Sequence, residues 1–209
     1  MLVETIIAIL LLICLACFAS VNLHNILIVH KRKNNSASSY AEIKRPSGFI
    51  VDIAALGTLV YFLEALIYVF LVFFGSFHVL YAYPVYFQLP FALYTEILGL
   101  ILTLSGYFLF MWSVIARSIY AVSWEMPGNQ KLVTWGPYCY VRHPSYLGYF
   151  LMFFGIFFTW PSVFTLLPIA AIPGYYRVTF EEEKLLKQRF GDEYLRYQKR
   201  TGRFIPKLP

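Results

Sequence analysis

The sequence predicts an all-α integral membrane bundle of five transmembrane helices, N-terminus outside and C-terminus cytosolic, with a cytosolic extension of the fifth helix. Composition sets the class: of 209 residues, 59% are hydrophobic, 20% aromatic and only 13% charged, a balance foreign to soluble domains. Length sets the elements, because a helix needs about 20 mostly apolar residues to cross a hydrocarbon core roughly 30 Å thick, and the chain holds several such runs. Charge sets the direction. All seventeen Lys and Arg fall in three segments: five between the first and second runs (Lys31, Arg32, Lys33, Lys44, Arg45), three between the third and fourth (Arg117, Lys131, Arg142), and nine from Arg177 onward. The stretches 75–90 and around Trp160 hold none, so the positive-inside rule turns the basic segments to the cytosol.

The first span covers residues 2–29. Glu4 stands where a signal peptide would be basic, and no small-residue cleavage site follows, so an uncleaved helix is expected. The polar segment 31–47 is a cytosolic loop leading to the second span, 48–74, and the third covers 91–116. Spans 144–159 and 162 onward are separated only by Trp160 and Pro161 and must form a tight hairpin. Pro168 and Pro173 predict a kink in the fifth, since each removes a backbone donor and crowds the preceding turn. The chain thus divides into 1–118, with spans one to three, and 119–209, with a long loop, the hairpin and the charged C-terminal helix.

The net charge of +6 reads as topology and attraction to anionic headgroups, not as a nucleic-acid surface. Cys14 and Cys17 lie in an apolar helix without the Cys or His partners a metal site needs, and are expected as small buried hydrophobes. Cys139 could act as a nucleophile only if Arg142 or His143 lowered its pKa.

The residues that could carry chemistry all fall in the second half. Residues 119–141 form a loop long for a mere connection, in which Gly136 and Pro137 mark a turn that allows close backbone approach to a ligand. Tyr138, Tyr140 and Tyr146 offer aromatic faces suited to a purine or a sulfonium, or else belong to an interfacial belt. Arg142, His143 and Pro144 open the fourth helix, whose N-terminal dipole favours an anion. In the fifth helix Arg177 pairs with Glu181 and Glu183 with Lys187 at i, i+4, a solvated face. Glu182 has no base three or four residues away and lies on the apolar stripe. It needs an ammonium group, ribose hydroxyls or Arg142 as a donor. The tail reads as an amphipathic helix broken at Gly191 and a segment anchored by Phe204 and Ile205, either a lid or a membrane-surface anchor.

The segment GPYxxVRHPxYxG, the hairpin after it, the EE pair and the ending FGxEYxxYxxxTxRFIP together resemble the isoprenylcysteine carboxyl methyltransferase family in its prokaryotic-type form, over roughly residues 119–209. The resemblance implies S-adenosylmethionine as cofactor, bound on the cytosolic side, and a prenylated, lipophilic acceptor that enters from the bilayer and is methylated on the carboxylate of its cysteine. It implies cofactor contacts at Gln130, Lys131, Leu132, Val133, Tyr138, His143, Pro144, Ser145, Tyr146 and Glu182, and no metal. The family's carboxylate-handling arginine falls nearest to Arg177, one residue out of register at the position before Val178. A family glutamine is replaced by Ser123. The resemblance places the protein in the plasma membrane of a prokaryote, or the endoplasmic reticulum of a eukaryote. No G-x-G-x-x-G turn points to a Rossmann-type site. A phospholipid N- or S-methyltransferase, and an NADPH-dependent sterol-type reductase, are the alternatives.

Overall fold

A computed structural model describes residues 2–35, 48–82, 86–118, 120 and 130–207. The expectations placed on 36–47, on Ser123 and on most of the 119–129 loop lie outside the described residues. Seven helices follow in order: α1 (Leu2–Asn35), α2 (Phe49–Phe73), α3 (Ala92–Arg117), α4 (Pro144–Thr159), α5 (Leu166–Ile169), α6 (Ile172–Phe190) and α7 (Asp192–Arg200), with 3-10 turns at Phe77–Tyr81 and Gly136–Cys139. Two isolated β-bridges, Tyr86 with Ser162 and Val141 with Gly202, are found among the described residues, which otherwise are helical or irregular.

Among the described residues, three helices are long and apolar enough to cross a membrane: Val3–His30, Val51–Phe73 and Ala92–Arg117. They match the first three predicted spans to within a few residues. The fourth predicted span, Pro144–Thr159, is a shorter apolar helix of 16 residues. At 1.5 Å per residue it is about 24 Å long, short of a full hydrocarbon core. The fifth is divided where the prolines predict distortion. Ala170 and Ala171 remain right-handed helical (ψ −15° and −19°), and Ala171 N–H bonds the Pro168 carbonyl at 3.0 Å, so α5 passes into α6 through a tightened turn. The hairpin turn is locked by reciprocal bonds: Ser162 N–H donates to Thr165 Oγ1 (3.1 Å) and Thr165 N–H to Ser162 Oγ (3.2 Å), both residues fully buried.

The core lies between α1, α2, α3 and α4 around Tyr61, Tyr68, Tyr107 and Phe153. Cys14 joins it, whereas Cys17 is exposed on α1, because positions three apart on so uniformly apolar a helix do not announce which face is covered. The pair α3 and α4 packs most extensively. A Cβ on Gly106 would lie 2.7 Å from the Gly148 carbonyl oxygen, and one on Gly155 2.6 Å from Thr103 N. Gly99, Thr103 and Gly106 thus meet Gly148, Gly155 and Thr159 in a seam of small residues that lets the backbones touch. Gly148, in the second turn of α4, thus lets α3 come close. Gly155→Leu is expected to force these helices apart and cost about 1–3 kcal/mol by overpacking, read as a lower unfolding midpoint in detergent. An unchanged midpoint would mean the seam can open freely.

Candidate functional site: a carboxylate-lined cavity at the start of α4

The loop before α4 is held against the end of α3. Gly136 adopts φ +61°, and a Cβ there would stand 2.9 Å from that of Ala116. Trp135 Nε1 donates to the Ala116 carbonyl at 2.9 Å. The close approach that Gly136 permits is thus to α3, where a ligand was expected. Ser145, in the first turn of α4, shares a 2.6 Å hydrogen bond with the fully buried Ser113 of α3.

Into this corner α6 delivers two consecutive acids. Glu182 (5% exposed) accepts from Tyr146 Oη at 2.7 Å and stands 3.2 Å from His143 Nδ1. Glu183 (3% exposed) stands 3.2 Å from His143 Nε2 and accepts from Arg142 Nε (2.9 Å), Arg203 Nε (3.1 Å), Arg203 Nη2 (3.0 Å) and Gln198 Nε2 (3.0 Å). Two expectations are corrected here. Glu183 is not half of a solvated pair with Lys187, and Arg142 is the partner of Glu183, with Glu182 held instead by Tyr146 and His143. The partners lie about forty residues away in sequence, beyond the reach of an i, i+4 argument. The anion expected at the head of α4 is supplied by the protein itself.

His143 carries a carboxylate on each ring nitrogen. Burial opposes the imidazolium, but the bonds to Glu182 and Glu183 prevail and raise its pKa above the ordinary 6.5. Burial likewise works against the Glu183 carboxylate, and its bonds to His143, Arg203 and Arg142 overcome this and hold its pKa well below the usual range. The ring of His143 also lies parallel to that of Tyr146, at 5.8 Å between centroids.

The C-terminal segment, expected as a lid or a membrane-surface anchor, is fastened to the rest of the protein. It is a strap bonded across the entrance to α4: Arg142 N–H donates to the Gly202 carbonyl (2.9 Å), His143 N–H to that of Arg203 (3.2 Å), and Tyr197 Oη to that of Tyr138 (2.8 Å). Arg142 Nη1 also bonds the Thr201 carbonyl. The chain reverses into the strap at Gly191 (φ +50°), where the sequence predicted the break. Phe204 packs on Phe150 at 5.0 Å and near His143 at 5.9 Å, whereas Ile205 is exposed.

A cavity opens beside Glu182. Gln130, Lys131, Leu132, Val133, Tyr138, His143, Ser145, Tyr146 and Glu182 line it, so nine of the ten expected contact positions share one space. Pro144 is buried at the helix start and does not line it. Arg177 is exposed and outside the lining. Five residues correspond to about 140° around a helix from Glu182, and Val178 holds the inward position. Tyr140 is also exposed. Reading the sequence missed Arg117, Phe110 and Tyr149 from the membrane helices and Tyr194 and Tyr197 from α7. The tyrosines could have been found, since Phe190, Tyr194 and Tyr197 repeat at helical spacing and pack with Leu132 and Leu186. Tyr194 is fully buried, and its hydroxyl has no hydrogen-bond partner among the described residues. A wall of tyrosines, a buried carboxylate and an orphaned hydroxyl suit a ligand with an aromatic ring, hydroxyls and a positive centre.

Known proteins resemble part of the chain. The sequence profile of the phospholipid methyltransferase family (PEMT) matches residues 94–193. A protein-S-isoprenylcysteine O-methyltransferase of Schizosaccharomyces pombe is 39% identical over 84 residues, which cover 39% of this chain and 35% of that protein. The Homo sapiens protein of the same name is 35% identical over 89 residues, 39% of this chain and 30% of its own length. The chain therefore spans about a third of the length of the curated relatives it matches. Among solved structures, a eukaryotic intramembrane Ras methyltransferase, isoprenylcysteine carboxyl methyltransferase, superposes with a TM-score of 0.47 at 23% identity, over 74% of this chain and 51% of that one.

Proposed function

From its similarity to the isoprenylcysteine carboxyl methyltransferases, we propose that the chain is an S-adenosylmethionine-dependent methyltransferase acting on a lipophilic carboxylate at the membrane, a prenylated cysteine in the first instance. The match to relatives named for this reaction and the lining of the cavity support it. S-adenosylmethionine supplies a methyl group on a sulfonium. Gln130 to Val133, Tyr138, His143, Ser145 and Tyr146 form its walls, Pro144 sets the start of α4 behind them, and Glu182 is the carboxylate that faces its positive or hydroxylic part. In this reading α4 and the α5–α6 unit complete a five-crossing topology with the basic segments and the cavity in the cytosol, and Arg177 stands at the bilayer side where the acceptor arrives.

One observation supports the choice of acceptor class: His143 has a carboxylate on both ring nitrogens. With both ring nitrogens turned to carboxylates, neither is free to take a proton from a substrate. Transfer to a carboxylate requires no base, because its oxygen is already ionised: the new C–O bond forms as the C–S bond breaks, and no proton moves. Positioning and exclusion of water suffice. Methylation of a phospholipid amine, the reading favoured by the matched profile's description, would require proton removal.

Isothermal titration of the purified protein with S-adenosylmethionine, and with NADPH as control, tests the cofactor. Radiolabelled methyl transfer to an S-farnesylcysteine analogue and to phosphatidylethanolamine tests the acceptor. Binding of S-adenosylmethionine alone and base-labile label on the farnesylcysteine analogue are expected. Binding of NADPH alone would overturn the first, and label only on the phospholipid the second.

A further inference from the structure

We propose that Arg117, in the last turn of α3, is the residue of this cavity that receives a ligand carboxylate. The assignment rests on the methyltransferase reading and deepens it. Ser113 lies one turn earlier and touches Ser145 at 2.6 Å. Residues four apart share a helix face, so Arg117 follows Ser113 toward the head of α4 and lines the cavity, half-buried.

Two of the other cations there are already engaged, and the third is solvated. Arg142 bonds Glu183 and the strap, and His143 bonds both acids. Lys131 is exposed to solvent. Arg117 differs: among the described residues its guanidinium has no hydrogen bond or ion pair. A half-covered cation without a counter-charge is unfavourable, and a guanidinium offers a planar fork that matches a carboxylate in bidentate fashion. The cavity is thus polarised, with the Glu182 carboxylate on α6 and, on α3, a positive charge that has no ion pair among the described residues. A ligand set carrying both a sulfonium and a carboxylate fits that polarity. Arg177, on the outer face of α6, cannot supply it within the cavity.

Two carboxylates have this chemistry: the amino-acid carboxylate of S-adenosylmethionine and that of the acceptor. Arg117→Ala separates them. Binding of S-adenosylmethionine and of 5′-methylthioadenosine, which lacks the amino-acid portion, is measured by titration, and KM for S-farnesylcysteine by initial rates, with Arg117→Lys and Arg177→Ala alongside. Loss of a charge-assisted contact predicts about a tenfold or larger effect. If it falls on S-adenosylmethionine affinity while methylthioadenosine affinity holds, the cofactor's carboxylate is the one received. If it falls on acceptor KM while cofactor affinity holds, the acceptor's is. Arg117→Lys should recover part of either loss. Unchanged constants in Arg117→Ala, whatever Arg177→Ala does to the acceptor, or an equal loss for both nucleosides would each overturn the assignment. Wild-type protein that binds methylthioadenosine keeps such a failure distinct from failure of the cofactor reading.

Discussion

Glu183→Ala is expected to destabilise the protein by about 3–5 kcal/mol, because removing one partner of a buried ionic cluster leaves the others uncompensated. Arg142 and Arg203 would lose their carboxylate with side chains only 8% and 20% exposed, and Gln198 and one nitrogen of His143 would lose an acceptor. The strap would lose its central fastening while keeping the backbone bonds from Arg142 and His143. Thermal unfolding in detergent at neutral pH measures this, and a midpoint equal to wild type would show that Glu183 is not the hub.

The pH profile gives a second reading of the same variant. The folded pKa of His143 lies above its ordinary 6.5, so the stability it contributes is complete below that pH and is lost as pH rises through the folded value. That of Glu183 lies below its ordinary 4.5, so its contribution is present above that pH and is lost as pH falls through the folded value. Wild-type stability should therefore be highest between these limits and decline on the alkaline side. In Glu183→Ala the alkaline decline should begin closer to pH 6.5, since one of the two carboxylates that hold the proton on His143 is gone. Coincident alkaline limbs would refute the coupling.

Glu182→Gln is expected to weaken S-adenosylmethionine binding about ten- to a hundredfold, the loss of one hydrogen-bonding charge at roughly 1.5–3 kcal/mol. The amide keeps the size of the side chain and can still accept from Tyr146, so the fold should survive. Its unfolding midpoint then serves as the control for the titration. Unimpaired binding would remove Glu182 from the proposed site. The two acids thus divide the work: Glu182 is turned to the cavity, and Glu183 holds the strap and the head of α4.

Residue 182 was legible because its i±3 and i±4 neighbours are Val178, Thr179, Leu185 and Leu186, with no base among them. Residue 183 was misread because Lys187 offered a local partner that made a tertiary one unnecessary. The strap was visible only as a pattern of aromatic and basic residues, since its bonds to residues 140–143 end on backbone carbonyls, which carry no side-chain signature. Arg117 was counted with the charges that orient the chain, and nothing in an apolar helix ending in one arginine tells which way that arginine turns.

By itself the sequence determined the membrane class, the three long spans, the distortion between Pro168 and Pro173, the break at Gly191 and the cluster of residues around the head of α4. These follow from composition, run length and backbone chemistry, which act locally. Only the tertiary structure decided which acid pairs with which base, that α3 and α4 touch through glycines, that Arg177 faces outward, and that Arg117 and α7 wall the cavity. Those outcomes depend on how helices rotate and approach in three dimensions, and a shift of one residue around a helix turns a side chain through about 100°.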